Sequence, residues 1–123
     1  MDQEKKDREL FSLAQRQSRQ GDTEGVVRTM RQLVNRRPKS GIFAAVLANA
    51  LKSLGHMDEA ERYFKSAVVL SPKSEKVSLG LFHCLWERGK EDEALEEMKR
   101  LVRTTKKKSD EYQVILDALQ KSD

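Results

Sequence analysis

Gly21, Gly55 and Gly89 follow one another at a constant interval, and their surroundings recur with them. Leu13, Leu47 and Leu81 keep the interval, as do Gln17, Leu51 and Leu85, and Met30, Phe64 and Met98. Leu33, Ala67 and Leu101, then Val34, Val68 and Val102, keep it too, and Asp58-Glu59-Ala60 returns as Asp92-Glu93-Ala94. A chain with a period of about 34 residues builds one small unit several times. Each unit buries its apolar face on the next, so the period predicts stacked units rather than one closed core.

Pro38 and Pro72 are separated by the same interval, and each follows an amphipathic segment that it cannot continue. Lys106 stands where a third proline would fall. The glycines mark shorter turns inside each unit, which therefore reads as helix, tight turn, helix, longer loop. Helices are expected over 3–19, 23–36, 40–54, 58–70, 74–88, 92–104 and 109–121. Ser40, Ser74 and Ser109 are expected N-caps, and Asp58 with Glu61 has the spacing of a capping box. Gly25, Gly41 and Gly80 read as weak points inside helices, each costing up to about 1 kcal/mol relative to alanine. The seventh helix carries Tyr112, Ile115, Leu116 and Leu119 on one face and Asp110, Glu111, Asp117 and Gln120 on the other. It should cover the open end of the third pair.

Hydrophobic residues make up only 37% of the 123-residue chain and charged residues 36%. The apolar residues are periodic, so the high charge marks solvated helix faces rather than disorder. The net charge of +4 is a mild bias toward acidic partners. Cys84 is the only cysteine, so no internal disulfide forms, and the N-terminus lacks the apolar run of a leader peptide. No stretch has the length of a membrane span. A cytoplasmic location is expected.

The units resemble the tetratricopeptide repeat. In the middle unit the family pattern falls on Ala44, Leu47-Ala48, Leu51, Ala60, Phe64 and Pro72. The third unit keeps Leu81, Leu85, Gly89 and Ala94, with Phe82 where a small residue is usual and Met98 for the aromatic. The first keeps Leu13-Ala14, Gly21, Met30 and Pro38, with Val26 at a usually small position. The resemblance implies an all-α, right-handed solenoid of three helix-turn-helix repeats, about 7–40, 41–74 and 75–108, in a single domain. A capping helix over about 109–121 completes the seven helices. It also implies a concave groove lined by the first helix of each pair, and the job of an adaptor that holds peptide or helical segments.

On that expectation the groove is lined by Arg8, Phe11 and Gln15, then Ile42, Val46 and Asn49, then Lys76, Leu79, His83 and Trp86. An apolar stripe beside amides suits a peptide backbone. Phe11, Val46 and Leu79 read chiefly as inter-helix packing. Trp86 has two readings: packing toward the seventh helix, or a contact with the partner. Family members that grip the C-terminal carboxylate of heat-shock chaperones use lysines, asparagines and an arginine in slots that here hold Phe11, Gln15, Val46, Lys76 and Gly80. Only Lys76 fits, so that role is rejected.

Loops of equal phase share one edge, so Arg36, Arg37, Lys39, Lys73, Arg103, Lys106, Lys107 and Lys108 should form a basic row. The favoured reading is a solvated edge. No aromatic residues alternate with these cations, so nucleic acid is not an expected partner. His56 and His83 lie on different units, and Cys84 beside His83 points away from it around the helix, so neither a catalytic dyad nor a zinc set is present. No metal, cofactor or enzymatic activity is expected. The leading expectation is a protein-protein interaction module that binds another protein. The alternatives are an immunity- or antitoxin-type inhibitor and a structural homodimer formed through the N-terminal helix.

Overall fold

The computed structural model describes residues 2–106 and 109–121. Seven helices follow in order: α1 Asp2–Arg19, α2 Thr23–Arg36, α3 Gly41–Ser53, α4 Met57–Leu70, α5 Glu75–Glu87, α6 Glu91–Thr105 and α7 Asp110–Lys121. Among the described residues there is no strand. Each helix begins and ends within one residue of its expected bounds. Helix pairs α1–α2, α3–α4 and α5–α6 form hairpins, and α2 on α3 and α4 on α5 join one hairpin to the next. The all-α architecture is the one expected from the glycine and proline punctuation and from the family resemblance.

The turn inside each hairpin needs a left-handed residue. Gly21, Gly55 and Gly89 supply it with φ of +75°, +84° and +77°. The next N–H in each case closes back on a carbonyl of the ending helix: Asp22 on Gln17 at 2.8 Å, His56 on Leu51 at 2.9 Å and Lys90 on Leu85 at 2.8 Å. This is the usual satisfaction of orphan carbonyls at a glycine-terminated helix. In the third loop the proline's place is taken by Lys106, itself left-handed at φ +56°.

Ser40, Ser74 and Ser109 cap α3, α5 and α7, accepting from the N–H groups of Phe43, Val77 and Tyr112. Asp22 caps α2 in the same way, accepting from Gly25 N–H at 2.9 Å. The capping box expected at Asp58 and Glu61 does not form. The cap position of α4 is His56, which makes no side-chain bond there. Glu61 is turned aside by stronger partners: Arg88 Nη1 at 2.9 Å, Lys90 Nζ at 3.0 Å and Lys65 Nζ at 2.9 Å.

The core runs along the whole stack. Met30, Leu33, Leu47, Leu51, Ala60 and Ala67 are fully buried, and each buried large side chain contributes about 1.5–3 kcal/mol. Phe64, of α4, reaches across to α5, where a β-carbon on Gly80 would lie 2.6 Å from its ring. The reading of Gly25, Gly41 and Gly80 as weak points is therefore incomplete. A β-carbon at Gly25 would meet the Asp22 carboxylate at 2.2 Å, and one at Gly41 the Ser71 hydroxyl at 2.2 Å. These glycines let neighbouring groups approach closely, which no local helix propensity reveals.

Helix α7 meets the third hairpin chiefly through one residue of its expected apolar face. Tyr112 is buried, Ile115 and Leu116 pack partly against the core, and Asp110, Glu111, Asp117 and Gln120 are exposed. The Tyr112 hydroxyl lies 2.7 Å from Ser78 Oγ, and Ser78 donates to Glu97 Oε2 at 2.6 Å. Arg100 completes the chain of bonds, donating to both Glu97 oxygens at 2.7 Å and to the Pro72 carbonyl at 2.9 Å. Among the described residues no buried side-chain nitrogen or oxygen lacks a partner.

Candidate functional site

Residues of α1, α3 and the start of α2 line a cleft of about 210 Å³. Its apolar walls include Phe11, Val26 and Val46, and its polar rim includes Gln15, Asn49 and Ser53. Phe11 is held by Phe43, with ring centroids 5.7 Å apart. Gln15 and Asn49 are both exposed, and among the described residues neither side-chain amide bonds to another protein group. Each therefore keeps its donors and its acceptor for a ligand. An apolar cleft edged by open amides can seat one apolar side chain and bond to the backbone that carries it.

The remaining expected groove residues divide by exposure. Arg8, Lys76 and His83 are exposed, and Ile42 is 61% exposed. Leu79 is buried at 7% and belongs to the core. Trp86 is half-buried and stacks on Phe82, one helical turn before it, with centroids 5.7 Å apart. Phe82 in turn meets Tyr112 of α7 edge-on at 5.4 Å. The tryptophan thus reaches the seventh helix through Phe82 and keeps a solvent-facing part. Nearby, Lys52 Nζ lies 3.4 Å from Glu87 Oε1, tying α3 to α5.

Three residues escaped the sequence reading. Ser18 and Ser53 line the cleft. Ser18 shares the repeat phase of Lys52 and Trp86, so the periodicity held a signal for it. Val114 of α7 is 67% exposed. Treating α7 only as a cap hid it.

The basic residues do not all stand free. Arg36 Nε donates to Asp7 Oδ1 at 2.6 Å and Arg37 Nε to Asp7 Oδ2 at 2.5 Å. The Arg36 hydrogen bond chiefly holds the Asp7 carboxyl below the usual range, with Arg37 adding to it against some desolvation. These two arginines fasten the end of α2 to the start of α1. Lys39, Lys73, Arg103 and Lys106 are exposed. Lys107 and Lys108 lie outside the described residues.

Cys84 is fully buried, and burial pushes its thiol up, away from the reactive thiolate. Among the described residues no three His, Cys, Asp or Glu side chains are grouped to hold a metal ion. No described helix is long and apolar enough to cross a membrane.

Residues 53–119 match the family model described as tetratricopeptide repeat. No curated protein matches the chain. Among solved structures, it is similar to the Yersinia enterocolitica type III secretion translocator chaperone SycD. The identity is 18% and the TM-score 0.79, over 95% of this chain and 89% of that one. It is also similar to SycD in complex with a peptide of the translocator YopD, at 18% identity and a TM-score of 0.77, over 93% and 86% of the two chains. MamA AMB-1 matches at 24% identity and a TM-score of 0.69 over 86% of this chain, which spans 58% of the length of that protein. At these identities the likeness establishes the fold.

Proposed function

The chain belongs to the tetratricopeptide repeat family, and from that premise we propose that it is a non-enzymatic module that holds a segment of a partner protein in the trough along α1, α3 and α5. The observation that carries this reading is the cleft between α1 and α3, where Phe11 and Val46 stand beside the exposed amides of Gln15 and Asn49. An apolar residue of the partner enters the cleft, and the amides bond to its backbone. Ile42, His83 and Trp86 extend the contact along the trough, with Arg8 and Lys76 as flanking cations. In this reading the three hairpins are the repeats, with α7 as the cap. SycD with its bound YopD peptide gives a precedent for a chain of this fold holding a peptide. The exposed cations Lys39, Lys73, Arg103 and Lys106 speed the approach of an acidic partner. Cys84, single and buried, suits a reducing compartment such as the cytoplasm.

The test begins with affinity purification and mass spectrometry to identify the partner. Calorimetry then compares the wild type with the double variant Gln15→Ala, Asn49→Ala. Losing two hydrogen bonds at a desolvated site should weaken binding about tenfold or more while the melting temperature stays unchanged. Trp86→Ala should weaken it further, at the cost of some packing on Phe82. Unchanged affinity in both variants would sink the trough assignment.

A further inference from the structure

Arg31, Lys65 and Lys99 occupy the same repeat position, one on each of α2, α4 and α6. The first two reach forward to the next second helix. Arg31 makes a bidentate pair with Glu59 of α4, at 2.7 and 3.0 Å. Lys65 Nζ lies 2.9 Å from Glu61 of its own helix and 3.7 Å from Glu93 of α6. Glu59 and Glu93 are themselves equivalent by the repeat, and each immediately precedes a fully buried alanine, Ala60 or Ala94. Four and seven residues after the alanine come Phe64 and Ala67 in α4, and Met98 and Leu101 in α6, all buried. Each added second helix thus brings a carboxylate to the cation before it and an apolar stripe to the core.

Lys99 has the same phase, and among the described residues no further second helix meets it. Its side chain is 63% exposed, and its ion-pair partner is Glu96, one turn back on α6, at 3.5 Å. Beside it, α6 and α7 enclose a groove of about 550 Å³ walled by Met98, Val102, Tyr112 and Leu116, with Lys99 and Arg103 on its rim. Val102 is 38% exposed there. A wide apolar groove with cations along one edge is complementary to an amphipathic helix with acid along its apolar stripe.

We propose that this groove is a second docking site, and that it takes an amphipathic helix of a partner protein laid down as the next rung of the stack, its carboxylate on Lys99. The occupant carries Glu or Asp directly before a small apolar residue, with apolar residues four and seven positions later. A second copy of this chain cannot supply it. Its own segments of that pattern lie in α4 and α6 with their apolar residues already in the core. The site is separate from the trough, because its walls come from α6 and α7 rather than from α1 and α3.

The probe is a capped synthetic peptide with the sequence of α6, Glu91–Thr105, titrated calorimetrically into the full chain. One peptide should bind per chain. Lys99→Glu in the protein should weaken it about fivefold, the scale of a partly exposed ion pair. Glu93→Lys in the peptide should restore binding to the Lys99→Glu protein. Val102→Asp should weaken binding at least as much, whereas the Gln15→Ala, Asn49→Ala variant should bind the peptide as the wild type does. Circular dichroism on each variant separates lost binding from lost fold. Absence of binding at about 1 mM peptide overturns the proposal. So does affinity indifferent to Lys99 and Val102, loss of binding in the trough variant, or light scattering that shows a dimer dissociated by Val102→Asp.

Discussion

Position 80 has no side chain because the ring of Phe64 fills the space. A β-carbon there would lie 2.6 and 3.1 Å from two ring carbons, and the ring is itself 2% exposed. Gly80→Ala should therefore destabilise the fold by about 1–3 kcal/mol, outweighing the helix propensity gained. Gly55→Ala should also cost about 1 kcal/mol, for a different reason. No atom obstructs the site, but φ is +84°. Thermal melts of the two variants, each alone and combined with Phe64→Leu, separate the causes. The smaller residue should relieve the penalty at position 80 and leave the one at position 55 intact. Equal coupling at both sites would refute the packing argument. Ser78 shows the same dependence on context. Its sequence neighbours suggest nothing, yet its hydroxyl joins Tyr112 to Glu97 inside the protein.

Helix α7 is where a single buried bond has most leverage over a whole element. Its docking rests on Tyr112, with Ile115 and Leu116 only partly covered. Burial pushes the Tyr112 phenol well above its ordinary value of 10.0, outweighing the opposing hydrogen bond with Ser78. The raised folded value means that the native state holds the proton where the unfolded chain has lost it. Docking stability is thus complete below about pH 10 and declines as pH rises through the folded value. Tyrosinate absorbance during an alkaline titration should show Tyr112 ionising only as α7 detaches. Tyr112→Phe should weaken docking by about 1 kcal/mol, seen as faster amide hydrogen exchange across residues 110–121 with little change in α1–α4. Uniformly faster exchange across all helices would mean that α7 is not a separate unit.

Across the whole molecule, ion pairs tie the hairpins to one another. Glu61 gathers Lys65 from its own helix with Arg88 and Lys90 from the next hairpin, and Arg31 reaches Glu59 from the hairpin before. Burial alone would raise the Glu61 pKa, but the hydrogen bonds from Lys65 and Lys90 prevail and hold it below the ordinary 4.5. Arg31 lowers Glu59 in the same direction, as Arg36 and Arg37 lower Asp7. With depressed native values, the unfolded chain binds more protons below about pH 4.5, so stability is retained above that pH and falls below it. Urea midpoints should drop between about pH 5 and about pH 3, and Glu61→Gln should flatten that dependence. A flat wild-type profile would show that these carboxylates are not linked to folding.

Local sequence and its period determined the helices, their turns and their order, because these depend on residues close in sequence: a glycine that can adopt positive φ, a serine three residues before the N–H it caps, an apolar residue every third or fourth position. The same period located α1 and α3, and so the neighbourhood of Gln15 and Asn49. Only the tertiary structure decided what each repeated position meets. It joined Arg36 and Arg37 to Asp7, drew Glu61 from its cap to Arg88 and Lys90, and left Lys99 paired with Glu96 of its own helix beside the α6–α7 groove. Such pairings join residues up to 30 apart in the chain, and their partners are selected by the close packing of helices rather than by any local pattern.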